Sequence, residues 1–234
     1  MLFTILIVSG ITFSVYASDN KNLEGFTRVL EAVEEKHIEV FDCKAFGLTY
    51  DEVRYCISFV EISNPYLYGL SSFSCTETDG IVESINLTYS YTAEEMLLQR
   101  REIDRIISDI IADTEGLTNP EKIKVVYDYF ADSNIYDYSI KTDESEEYNI
   151  YTLLTEHRGR CKTFSLAFKL IMDKLDIPCK VVSNLTSVKQ DLDNETYHIW
   201  NKVYVSDEWL TVDLTKRLYL ANNLLCMLYG LPIN

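Results

Sequence analysis

Basic residues are in short supply. Lys and Arg number 21 against 37 Asp and Glu, a formal charge of −16 with a pI near 4.5. A surface of that sign repels phosphate backbones and anionic lipid over long range, which argues against nucleic-acid binding and against any membrane attachment beyond an amino-terminal anchor. By itself the net charge favours basic peptide partners. Glycine is scarce too, with 8 residues in 234, and no GxGxxG or Walker pattern occurs, so chemistry built on a Gly-rich phosphate cradle has no motif to stand on. The six cysteines, at positions 43, 56, 75, 161, 179 and 226, form no CxxC pair, which sets aside zinc-ribbon and thioredoxin readings. Neither a metal nor a cofactor is expected. With only three histidines, any chemistry that needs an imidazole must use His37, His157 or His198. The remainder is ordinary: 47% apolar and 25% charged content describes a globular chain able to bury one sizeable core or two small ones.

Long apolar runs are nearly absent. The exception, residues 2–17 (LFTILIVSGITFSVYA), is uncharged and ends in Val15-Tyr16-Ala17 before the polar Ser18-Asp19-Asn20, as a secretory signal does. It falls short of the roughly 20 residues of a membrane span and lacks a basic flank, so an uncleaved anchor stays open beside the signal reading. Either way the protein is expected to be secreted or attached to the extracellular surface. In that compartment Cys43, Cys56 and Cys75 could supply one disulfide, with connectivity open, and Asn86, Asn184 and Asn194 match the glycosylation sequon.

The expected organisation is a leader (1–17), an accessory region (18–91) and a larger domain (92–234). Phe26, Leu30, Val33 and Val40 recur near helical spacing and predict a helix over 23–41; a second is predicted over 50–60, before Asn64-Pro65. Two β-rich segments flank Thr78-Asp79-Gly80 and predict a hairpin. Thr92-x-x-Glu95 and Thr118-x-x-Glu121 are capping boxes that open helices, the first running to about Ala112. Residues 142–147 (TDESEE) form a solvated acidic loop, and an apolar helix carrying Cys226 is expected near the carboxy terminus.

The chemistry concentrates from residue 159 onward. In GRCKTFSLAFKLIMDKLDIPCKVVS, Phe164, Ala167, Leu170, Ile171 and Leu175 mark a helical face, which places Cys161 in the first turn of a helix ended by Asp176-Ile177-Pro178. Free N–H groups and the helix dipole stabilise a thiolate there, and Arg158, Arg160 and Lys162 are expected to surround it with positive charge. Cys179 reads as a buried structural thiol. Among the bases, His37 reads as a surface residue of a charged helix and His157, four positions before Cys161, as a solvated loop residue that stays a weak alternative base. His198 instead opens a strand in which His198, Trp200, Lys202 and Tyr204 share one face. The next strand puts Trp209, Thr211 and Asp213 together, and the two form a hairpin near Ser206-Asp207-Glu208. Any even-length turn sets His198 and Asp213 on the same face, opposed or diagonal, within reach of an imidazole–carboxylate hydrogen bond. Nucleophile, base and orienting carboxylate are then Cys161, His198 and Asp213, the logic of a thiol–imidazole–carboxylate triad.

These segments, GRC with its apolar helix, DIPCKVVS, and HIWNKVYVSDEWLTVDLT, resemble the transglutaminase-like superfamily of papain-fold cysteine enzymes, the bacterial exported members above all. EKIKVVYDYFADSNIYDY resembles the helix and tyrosine-rich segment that precede the cysteine in that family. The resemblance covers about residues 92–216. It implies an α+β, papain-like core with Cys161 as nucleophile, His198 as general base and acid, and Asp213 orienting His198. The implied activity is acyl transfer from, or hydrolysis of, amide bonds in a peptide or protein substrate, through a thioester. Trp200 fits the family pattern beside His198, and Tyr151 or the Cys161 N–H could face an oxyanion. Thr163 stands where glycine is frequent, and Lys216-Arg217 where tryptophan-aspartate is. Those departures keep a rival expectation in play, a catalytically silent extracellular binding module.

Overall fold

The computed structural model describes residues 6–8, 11–13, 21–137, 148–183 and 198–216. The acidic stretch 142–147, the sequons at Asn184 and Asn194, Arg217 and the segment around Cys226 lie outside them. Within the apolar run 2–17 only two short paired strands are described, β1 (Leu6–Val8) and β2 (Ile11–Phe13). No helix among the described residues is long and apolar enough to cross a membrane. The described residues divide into two units, one up to Gln99 and one from Arg100 onward.

In the first unit, α1 (Lys21–Glu35) packs on α2 (Tyr50–Ser63), with β3 (Val40–Asp42) and a 3-10 turn, Lys44–Phe46, between them in sequence. The helix predicted over 23–41 therefore stops six residues early. His37 sits at φ 53°, in the left-handed region that ends helices, and Ile38 N–H returns to the Val33 carbonyl. Val40 and Phe41 then join a sheet rather than a helix face. Thr49 and Glu52 form a capping box at the start of α2. β4 (Leu70–Thr78) and β5 (Ile81–Tyr89) make the expected hairpin, turned by Asp79 and Gly80 at φ 53° and 78°, and β3 pairs with the other side of β5. Phe26, Leu30, Val53, Val60, Val82 and Ile85 fill the core beneath this sheet. Cys43, Cys56 and Cys75 all belong to that core as free thiols, without the disulfide they could have supplied.

Next comes α3 (Ala93–Ala112), opened by the Thr92–Glu95 capping box. The second unit continues with α4 (Asn119–Ser133), β6 (Ile135–Tyr136), α5 (Ile150–Glu156), β7 (Arg158–Gly159) and α6 (Cys161–Lys174), then β8 (Cys179–Ser183), β9 (Ile199–Val205) and β10 (Glu208–Val212). β10, β9 and β8 form an antiparallel sheet in that order, while β6 and β7 make a two-residue parallel pair. The fold is thus α+β, a helical layer on an antiparallel sheet. Every residue of α6 from Thr163 to Met172 is buried, because the sheet covers one side and α4 and α5 the other. Buried polar groups stitch helix to strand: Asn201 Nδ2 donates to the Ser165 carbonyl at 3.0 Å, and Ser165 Oγ donates to the Ile199 carbonyl at 3.2 Å.

Candidate active site

Arg160 occupies the N-cap of α6 in extended conformation and makes no side-chain cap, so the first N–H groups of the helix are left for another acceptor. Cys161, half-buried at that end, takes the role: the backbone N–H groups of Lys162 and Ile199 and the imidazole of His198 all hydrogen-bond its sulfur. Burial pushes the thiol up, and these donors together with the positive charge of His198 outweigh it, holding Cys161 below its ordinary value. The surrounding positive charge expected from sequence is differently placed. Arg158 reaches toward Asp137 Oδ2 at 3.5 Å, and Arg160 Nε donates to the Asp137 carbonyl at 3.3 Å. The cation at the sulfur is the imidazole.

His198 immediately precedes β9, and the strand alternates as its sequence does, with Ile199, Asn201, Val203 and Val205 buried and the intervening residues outward. The hairpin to β10 closes on two residues, Ser206 and Asp207, with Val205 paired to Glu208. One further step of this register sets Asp213 opposite Trp200, which puts His198 on the diagonal. His198 Nε2 and Asp213 Oδ2 meet at 2.9 Å, leaving Nδ1 for the thiol. Asp213 Oδ1 accepts from Thr215 Oγ1 at 2.7 Å and Thr215 N–H at 3.2 Å, so both carboxylate oxygens are fixed. Burial raises Asp213, but His198, Thr215 and Lys216 hold it below the usual carboxylate value; Lys216 Nζ lies 3.9 Å away. Asp213 first and Cys161 second lift His198 from 6.5 to about 9. Trp200 stacks on the imidazole at 5.7 Å and 24°. The apolar face expected for β10 is only partly covered, since Leu210 is exposed.

The other sequence candidates separate from this cluster. His157 is exposed at the C-cap of α5 with φ 59°. His37 is not the simple surface residue expected: it stacks on Tyr89 at 4.3 Å, and its Nε2 lies 3.1 Å from the Tyr91 carbonyl. Cys179 is buried, and burial raises its thiol to about 12. Tyr151 sits in the first turn of α5, and a different tyrosine reaches Cys161. Tyr136, aligned with Gly159 in the β6–β7 pair, stacks on Phe164 with ring centroids 6.4 Å apart and planes 11° apart. Its hydroxyl accepts the Cys161 backbone N–H and donates to the sulfur; burial and the adjacent thiolate push it well above the ordinary phenol value. Sequence reasoning missed this residue. The only pointer to it was the tyrosine-rich segment after α4. Among the described residues, no group of three or more His, Cys, Asp or Glu side chains converges as metal ligands would.

Residues 105–214 match the model of the Transglutaminase-like superfamily. No curated protein matches the chain. Among solved structures it is similar to a TGase at 18% identity and TM-score 0.40, covering 63% of this chain and 44% of that one. A candidate cysteine protease from Cytophaga hutchinsonii is similar at 12% identity and TM-score 0.37, with coverage of 64% and 63%. The periplasmic domain of TgpA from Pseudomonas aeruginosa is similar at 11% identity and TM-score 0.39, with coverage of 65% and 68%. The chain thus spans less than two thirds of the length of the first two. Cys161, His198 and Asp213 all lie inside the residues that match the Transglutaminase-like superfamily model.

Proposed function

We propose that this protein is a cysteine enzyme that attacks amide carbonyls of peptides or proteins through Cys161, with residues 92–234 as its catalytic domain. The observation that carries the reading is the convergence of Cys161, His198 and Asp213 at the uncapped start of α6, with the thiol held low and the imidazole held high. Opposite shifts in neighbouring groups favour a thiolate–imidazolium pair around neutral pH.

In the proposed reaction the Cys161 thiolate adds to the carbonyl carbon, and the amide oxygen becomes an oxyanion. Two donors lie beside that position, the Cys161 N–H and the Tyr136 hydroxyl, which turns from sulfur to oxygen as negative charge moves. His198 gives its Nδ1 proton to the departing amine, the C–N bond breaks, and a thioester remains on Cys161. His198, now neutral, takes a proton from the incoming water or primary amine, which displaces the thiolate and regenerates the pair. Asp213 keeps the ring oriented throughout, and its second oxygen is tied to Thr215. The apolar leader supports an exported or surface-attached location for this chemistry.

The test is incubation of the protein with dimethylated casein and a fluorescent primary amine, with peptide products and amine incorporation followed by mass spectrometry in wild type and Cys161→Ala. Hydrolysis or incorporation that vanishes in the variant supports the proposal. If neither occurs and Cys161 behaves as an ordinary thiol, the silent binding module replaces it.

A further inference from the structure

The outward face of the β10-β9-β8 sheet carries residues that the proposed chemistry does not use. Pairing aligns Lys202 of β9 with Lys180 of β8 on one side and Thr211 of β10 on the other, and Tyr204 with Trp209. Two lysines therefore stand directly opposite each other on adjacent strands, an arrangement that costs stability by like-charge repulsion. Neither is paired with a carboxylate among the described residues, although the chain as a whole carries −16. Lys180 Nζ lies instead 3.9 Å from the centre of the Trp209 ring, and Tyr204 packs on the same ring at 5.4 Å. Tyr204 and Trp209 are 38% and 39% exposed. This cationic and aromatic surface is continuous with the candidate site through Trp200, which stacks on His198. From His198 to Tyr204 the strand runs about 20 Å, the length of about six extended residues.

We propose that this face docks an extended acidic segment of the polypeptide substrate, with carboxylates on Lys180 and Lys202 and an apolar or aromatic side chain on Tyr204 and Trp209. The inference rests on the reading of Cys161 as a peptide-directed nucleophile and narrows its substrate class. Net charge alone would have chosen basic peptides; the local charge beside the site chooses acidic ones.

The test measures binding to Cys161→Ala protein of a fluorescein-labelled peptide of six glutamates and one tyrosine, by anisotropy. An oligolysine peptide serves as the opposite-charge control and oligogalacturonate as an anionic glycan. The acidic peptide should bind, oligolysine should not, and the further double substitution Lys180→Glu/Lys202→Glu should weaken acidic-peptide binding by about tenfold. Equal affinity in the charge-reversed protein, or preference for oligolysine, overturns the proposal. Lysine-dependent binding of oligogalacturonate without binding of the peptide also overturns it, in favour of a glycan. Iodoacetamide alkylation of Cys161 in Lys180→Glu/Lys202→Glu protein that keeps its thiol reports the site separately. Docking lost while fast alkylation persists supports the surface. An unreactive Cys161 in wild type, with lysine-dependent peptide binding intact, sinks the catalytic reading and leaves the docking face standing.

Discussion

Replacing His198 with alanine removes both the hydrogen bond and the cationic charge that hold Cys161 below its ordinary value. Burial, the largest influence on this sulfur, then works against ionisation with only the N–H groups of Ile199 and Lys162 opposing it. A thiol at the ordinary pKa of about 8.5 is only ~0.3% ionised at pH 6. In His198→Ala the iodoacetamide rate at pH 6 should therefore fall to about 1% or less of that variant's own rate above pH 10. Wild type should differ in shape as well as speed. With His198 lifted to about 9, the imidazolium persists through neutrality, and the alkylation curve should rise well before 8.5 and flatten while the pair exists. The assay is a set of pseudo-first-order rates from about pH 4 to 11, with the adduct at Cys161 quantified by peptide mass. Superimposable curves for the two proteins, both with midpoints at or above 8.5, would refute the reasoning.

Tyr136→Phe should lower kcat for amide substrates by about 100-fold while leaving alkylation of Cys161 within a few-fold, because displacement at iodoacetamide develops no oxyanion; equal losses in both assays would mean that Tyr136 only shapes the thiol. Asp213→Asn should narrow the pH range of stability. The raised pKa of His198 contributes stability that is complete below 6.5 and lost as pH rises through about 9, and the lowered pKa of Asp213 contributes stability present above 3.8 and lost as pH falls through its depressed value. Thermal melts should thus differ most between pH 4 and 6.5 and less toward pH 9, where the His198 part is lost and the Asp213 part remains. Since the His198 side chain is 34% exposed, solvent screening reduces the gap to about 1–2 kcal/mol. Gly159→Ala, two residues before Cys161, should cost about 1–3 kcal/mol and slow alkylation, because the added Cβ would lie 3.1 Å from Leu153 Cδ1 and 3.3 Å from Thr163 Cβ. Denaturant unfolding would check the first part and iodoacetamide rates the second.

Much of the site was legible because its determinants are local and periodic. The two-residue alternation from His198 to Leu214 set the imidazole and carboxylate on one face for any even loop, and Ser206-Asp207, at φ 53° and 64°, supplies such a loop. Capping boxes announced α3 and α4 for the same reason, since the residues that satisfy each other lie three apart. What escaped depends on pairing between distant segments. Tyr136 meets Cys161 only because a two-residue parallel pair aligns it with Gly159, and no periodicity in its own segment records that. Val40 and Phe41 continue the helical spacing of α1, yet β5 claims them. Residue type alone sets the sign of Arg158 and Arg160 but not their direction, which Asp137 decides.

The burial around the other described cysteines has a practical consequence. Burial raises Cys43, lifts Cys56 and Cys75 to about 11, and lifts Cys179 to about 12, while Cys161 alone among the described thiols is lowered. At pH 7 a thiol at 11 is about 0.01% thiolate. The described thiols thus carry their own chemical contrast: one equivalent of a mild electrophile should label Cys161 ahead of Cys43, Cys56, Cys75 and Cys179, so the reactive fraction at Cys161, read by peptide mass, can be followed before a substrate is known.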